Sequence, residues 1–110
     1  MTALISRSEL ESLVANRQVV LVDALPASYY DQLHLPGALN LVEDEVEARA
    51  AELLPDMDAA IVTYCSNAAC RNSQAVADRL VRLGYSNVRK YREGIQDWVE
   101  AGNHTESNAA

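Results

Sequence analysis

The chain has 110 residues, nearly half of them hydrophobic, and a formal net charge of -7. That length suits one domain whose core needs no disulfide or metal staple, and the acidic balance argues against a nucleic-acid partner, since phosphate backbones attract basic surfaces. No stretch nears the roughly 18 apolar residues of a membrane span, and MTALISRSEL lacks the basic start and long apolar region of a secretory signal, so the expected compartment is the cytoplasm, with resting thiols reduced.

Ser6 and Ser8 each stand three residues before a glutamate, Glu9 and Glu11, a capping-box signal in two registers. Leu10, Leu13 and Val14 then supply a short apolar helix face. The continuous run Val19 to Val22, closed by Asp23, reads as a buried strand. Residues 27–32 suit one or two helical turns, after which Leu35, Pro36 and Gly37 force a turn, and 38–41 reads as a short second strand. Glu43 to Leu54 is an acidic helix with Val46, Ala50, Leu53 and Leu54 on one face, stopped by Pro55.

Ile61 to Tyr64 is the third strand. A helix follows from about Ser73 to Leu83, with Val76, Leu80 and Leu83 at i, i+4 and i+7 and Gly84 as its C-terminal cap. Val88 to Tyr91 is a fourth strand, and 95–101 a last helix carrying Trp98. The alternation implies an α/β three-layer sandwich, a central parallel sheet of four or five strands flanked by helices. Residues 1–102 are expected to form the single domain, and 103–110, small and polar, a disordered tail.

The chemistry concentrates in IVTYCSNAACRNS, residues 61–73, which holds both cysteines of the chain. Two cysteines make no disulfide framework and are too few for a four-cysteine zinc site. Neither His34 nor His104 lies at ligand spacing from them, so no metal is expected. In an open parallel sheet ligands bind outside the carboxyl ends of the strands, where Cys65 falls. The N–H groups of the loop Ser66, Asn67, Ala68, Ala69, Cys70, Arg71 and the first turn of the following helix are expected to converge on an anion cradle. Such settings lower the ordinary cysteine pKa of about 8.5, which makes Cys65 a candidate nucleophile toward an electrophile bearing negative charge. A strand-end cysteine is equally at home as plain core.

Four segments in order resemble the rhodanese-like sulfurtransferase family: LVDAL (21–25), HLPGALNL (34–41), VTYCSNAACRNSQAVADRL (62–80) and LGYSNVRKYREGIQDWVEAG (83–102). The resemblance implies the rhodanese fold. It also implies a reaction: a sulfane sulfur passes from a small anionic donor such as thiosulfate to Cys65 as a persulfide, then to cyanide or a thiol, including a protein thiol. No cofactor is implied. The loop departs from the common pattern of cysteine, four residues, arginine and serine: Cys70 sits fifth after Cys65, Arg71 follows, and Ser73 best matches the helix-opening serine. The loop is about two residues longer, and Leu25 stands where an arginine is usual.

Several readings stay open. Cys70 is a candidate resolving thiol forming a reversible disulfide with Cys65, a second persulfide carrier, or a residue that only packs. Arg71 is an anion ligand or a solvated side chain. Ser66 and Asn67 donate to substrate or merely form the turn. Asp23 approaches the site or anchors neighbouring backbone, His34 is read as structural, and Tyr64, Tyr91 and Trp98 as core or pocket wall. The spacing from Cys65 to Arg71 is also that of cysteine phosphatases and some arsenate reductases, though Tyr64 replaces their usual histidine. A non-catalytic binding module is the third possibility, with the acidic helix as its contact surface.

Overall fold

The computed structural model describes residues 3–108. In chain order it contains β1 (Ala3–Leu4), α1 (Arg7–Ala15), β2 (Val20–Asp23), α2 (Ala27–Gln32), β3 (Leu39–Asn40), a 3-10 turn (Glu43–Glu45) leading into α3 (Val46–Leu53), β4 (Ile61–Tyr64), α4 (Asn72–Arg82), β5 (Val88–Tyr91) and α5 (Gly94–Glu100). All the strands pair in parallel, in the order β1-β5-β4-β2-β3. The fifth strand is β1, two exposed residues that pair with Arg89 and Lys90 and were too short for periodicity to show.

Of the two capping registers, Ser6 prevails: its hydroxyl accepts from the Glu9 N–H at 3.2 Å. Glu9 is drawn away from any reciprocal capping role by Arg89 of β5, at 2.7 Å. On the central strand β4, alternation sends Ile61, Thr63 and Cys65 toward α3 and α4, and Val62 and Tyr64 toward α1 and α5. Each side has its own core. Val22, Val46, Ile61, Val76 and Leu80 pack with Cys65 on one face, and Leu10, Leu21, Leu35, Val62, Tyr91 and Trp98 on the other. Each such aliphatic side chain contributes about 1.5–3 kcal/mol on burial.

The buried stripe of α4 is Ser73, Val76, Ala77 and Leu80. Leu83, expected on that stripe, is 40% exposed, because the helix ends before it and the chain turns at Gly84. The acidic segment before β4 is exposed but tied to α4 at two of its carboxylates. Arg79 of α4 donates to the Glu43 carbonyl at 2.8 Å and pairs with the carboxylates of Glu43 and Glu47 at 3.3 and 3.2 Å.

The expectation of a disordered tail does not hold for residues 103–108. His34 N–H donates to the Glu106 carbonyl at 2.9 Å, and Glu106 N–H returns the bond at 2.8 Å. Gly37 N–H donates to Glu106 Oε1, and Trp98 Nε1–H to the His104 carbonyl. A polar composition suggested no anchor, but the unpaired backbone beside the Pro36–Gly37 turn supplies one. Ala109 and Ala110 lie outside the described residues.

The carboxyl ends of β2, β4 and β5 stand in one row, with Asp23 opposite Tyr64 and Tyr64 opposite Tyr91. Asp23 is fully buried; it accepts from Leu25 N–H at 2.8 Å and from the Tyr64 hydroxyl at 2.8 Å. Tyr64 oxygen in turn accepts from Leu35 N–H at 3.0 Å. Thus Asp23 anchors neighbouring backbone, and Tyr64 is a core residue that ties three segments together.

Burial raises the Asp23 pKa above its ordinary value, against the opposing donations from Leu25 and Tyr64. The folded state therefore favours the protonated acid. This contribution to stability is complete below the unfolded-state pKa and is lost as pH rises through the higher folded value. Urea unfolding over a series of pH values from about 3 upward should show that loss in the wild type and not in Asp23→Asn. Matching pH slopes for the two proteins would count against the assignment.

A second prediction concerns Gly94, at φ +74°, whose added Cβ would meet the Cys65 carbonyl oxygen and the Ser66 backbone at 2.6 Å. Only the absence of a side chain lets α5 approach the loop so closely. Gly94→Ala combines left-handed strain of about 1–2 kcal/mol with a backbone clash, and a total loss above ~2 kcal/mol is expected by denaturant unfolding.

Candidate active-site loop

β4 is buried at every position, and it delivers Cys65 to the carboxyl edge of the sheet. The chain then turns through residues 66–71 into α4. Two hydrogen bonds from α5 hold the start of this turn: Ile95 N–H donates to the Cys65 carbonyl at 2.9 Å and Gln96 N–H to the Ser66 carbonyl at 3.0 Å. Its far end is held from below, where the buried Thr63 hydroxyl donates to the Ser73 carbonyl at 3.0 Å.

Cys65 and Cys70 are joined by a disulfide, with Cα atoms 6.3 Å apart, within the span such bonds require. The two sulfurs occupy unequal surroundings. Cys65 is 1% exposed and packs with the α3/α4 core, whereas Cys70 is half-buried at its margin. The Ser73 oxygen lies 3.5 Å from Cys65 Sγ. Since a disulfide sulfur carries no proton, the hydroxyl is the donor. Ser73 is itself 1% exposed, so this hydroxyl is aimed by the fold rather than by solvent.

The expected ring of inward amides is only partly assembled. Ala69 N–H donates to Asn67 Oδ1 at 3.0 Å and Cys70 N–H to the Asn67 carbonyl at 3.1 Å. These two donors close a local turn, because an asparagine side chain mimics the next peptide carbonyl. Asn67 also donates from Nδ2 to Gln96 Oε1 at 3.2 Å, fastening loop to α5. Arg71 is the N-cap of α4 and forms no side-chain cap bond.

Ala68 and Ala69 are exposed, Ser66 half-buried. Outside them lies a cleft of about 680 Å³, lined by Cys70, Arg71, Gln74, Asp78 and Lys90 among others. Arg71 is exposed on its rim. Lys90 escaped notice in the sequence. Alternation along β5 puts it on the same face as buried Val88, so a lysine there ends up beside α4, where Nζ donates to Gln74 Oε1 at 3.5 Å. Ser73 was read as a helix opener only, because its contact with Cys65 needs the turn between them.

His34 belongs elsewhere. It is buried, its Nδ1–H donates to the Tyr30 carbonyl at 2.7 Å, and its ring stacks on Tyr30 at 4.0 Å. Tyr91 and Trp98 meet edge to face in the α1/α5 core.

A model of the Rhodanese-like domain family matches residues 6–101. Over 98 residues the chain is 37% identical to the HTH-type transcriptional regulator Rv0324 of Mycobacterium tuberculosis; the match takes in 89% of this chain and 42% of the regulator, so the chain spans less than half of that relative. It is 34% identical over 97 residues to a sulfurtransferase of Allochromatium vinosum, covering 88% of this chain and 87% of that one. The crystal structure of the BH2092 protein from Bacillus halodurans superposes with a TM-score of 0.88 at 21% identity, over 97% of this chain and 78% of that chain, a likeness of fold. A match running from the cap of α1 to the end of α5, on a parallel five-stranded sheet that delivers a cysteine to its carboxyl edge, places the chain in the rhodanese-like domain family.

Proposed function

We propose that this chain is a sulfurtransferase that carries a sulfane sulfur on Cys65. The observation that carries the reading is the position of Cys65 at the end of β4, beside the Ser73 hydroxyl. In the reduced protein this hydroxyl stabilises a thiolate and then the charged outer sulfur of a persulfide. With thiosulfate as donor, the Cys65 thiolate attacks the outer sulfur, the S–S bond of thiosulfate breaks, and sulfite leaves with the bonding pair. An acceptor thiolate, free or on a protein, or cyanide then takes the outer sulfur, and Cys65 leaves as thiolate. No cofactor enters, because the persulfide itself holds the transferred atom.

Cys70 acts as a resolving thiol. It attacks the Cys65 sulfur of the persulfide, forms the Cys65–Cys70 bond and releases hydrosulfide. The Cα separation of 6.3 Å supports this, since it lies within the span that a disulfide bridges. With Cys65 1% exposed in the bonded form, that form is inactive and must be reduced before loading. Such chemistry suits the cytoplasm, where thiol pools can reopen the bond. A small anionic donor meets a local positive field there despite the net charge of -7. Tyr64 argues against the phosphatase reading: its hydroxyl is committed to Asp23 and Leu35 in the core. The binding-module reading, with the acidic helix from Glu43 to Leu54 as its surface, is the alternative that an inactive protein would favour.

Reduced protein mixed with thiosulfate and freed of excess reagent should gain one sulfur, about 32 Da, in Cys70→Ser and not in Cys65→Ser. The wild type should instead pass to the disulfide with release of sulfide. Hydrolysis of an aryl phosphate without any such gain would point to the phosphatase. In Ser73→Ala, sulfur loading near neutral pH should slow about ten-fold, the effect of losing one hydrogen bond of ~1.4 kcal/mol to a charged atom. Stopped-flow loading rates provide the check, and an unchanged rate would remove Ser73 from the site.

A further inference from the structure

We propose that the Cys65–Cys70 bond is opened from the cleft, at Cys70, by small thiols that carry a carboxylate, which Lys90 and Arg71 attract. This rests on the sulfurtransferase reading only for the importance of regenerating Cys65.

The two ends of the bond differ in access. Cys65 is 1% exposed under the loop, while Cys70 lines the open cleft of about 680 Å³. A thiolate attacks a disulfide sulfur along the S–S axis, from the side opposite the leaving sulfur, and of the two cysteines Cys70 is the one that lines the cleft. The ends also differ as leaving groups. Exchange favours expulsion of the better-stabilised thiolate, and Cys65 is the one with the Ser73 hydroxyl 3.5 Å away. Access and leaving-group ability thus select the same direction.

The charge of the cleft selects the thiol. In a chain of net charge -7, this wall brings together Arg71 and Lys90. The carboxylate lining it, Asp78, accepts a hydrogen bond from Gln74 Nε2 at 2.8 Å. Lys90 meets Gln74 through a neutral amide oxygen, and the cleft lining holds two cations, Arg71 and Lys90, to one carboxylate, Asp78. A carboxylated thiol is therefore favoured over a neutral one of similar size.

The step balances with two equivalents of thiol. The first thiolate bonds to Cys70 Sγ, the Cys65–Cys70 bond breaks, and Cys65 leaves as thiolate. The second attacks the thiol-derived sulfur of the mixed disulfide and releases Cys70, which takes a proton from water. The protein disulfide gains two electrons, and the two thiols are oxidised to their own disulfide.

The test uses oxidised protein with no sulfur donor present. Thioglycolate and 2-mercaptoethanol are compared at equal thiolate concentration, reactions are quenched with N-ethylmaleimide, and the adducts are located by peptide mass. The expected first product carries thioglycolate on Cys70 and maleimide on Cys65. Opening by thioglycolate should be faster than by 2-mercaptoethanol. Lys90→Gln should slow thioglycolate about three-fold and leave 2-mercaptoethanol unchanged, and high salt should remove the difference. A first adduct on Cys65 overturns the direction of entry. An equal response of both thiols to Lys90→Gln overturns the assignment of an anionic thiol. Because sulfur loading is measured separately on reduced protein, a chain that opens as described yet gains no sulfur from thiosulfate would lose the sulfurtransferase reading and keep this one.

Discussion

Two peptide hydrogen bonds carry the functional end of this molecule: those from Ile95 and Gln96 N–H onto the carbonyls of Cys65 and Ser66. They fix where the chain leaves the sheet, and every later feature of the loop depends on that point. A strand end without them would leave two carbonyls to water and the turn without a defined direction. The bonds exist because Gly94 has no side chain, and its positive φ starts α5 against the loop backbone. A residue far along the sequence, with no chemistry of its own, thereby sets the geometry around Cys65.

The rest of the site is organised by contrast between dry and wet. Beneath the loop, Asp23, Tyr64 and the N–H groups of Leu25 and Leu35 satisfy one another in the core. Their role is to lock β2, β4 and the segment before β3 in one frame. Beside the loop, Thr63 holds Ser73, and Ser73 faces Cys65. Outside it, Arg71 and Lys90 face a cleft open to solvent. The disulfide crosses from the first environment to the last, which gives its two sulfurs different partners and different chemistry.

Much of the architecture was legible from short-range pattern. The apolar run before Asp23 and the run Ile61 to Tyr64 read as buried strands and are, and β5 ended where Tyr91 meets the turn. Boundaries shifted by a residue where caps compete, as at Leu83, and β1 escaped because two residues carry no period. The docking of residues 103–108 escaped for a different reason. Its hydrogen bonds are backbone to backbone, and side-chain composition says nothing about them.

Within the loop the division is sharper. The residue types and their order by themselves determined a cysteine at a strand end, a second one five positions on, and a helix beginning just after, which is enough to locate the chemistry. Only the tertiary structure decided that Cys65 and Cys70 are bonded, that Asn67 takes two amides away from the sulfur, that Ser73 faces Cys65, and that Lys90 joins Arg71 on one wall. The physical reason is range. Strand and helix signals are written in neighbours two to four residues apart, whereas each of these relations is set by how far the loop closes and by which groups α5 and β5 bring against it.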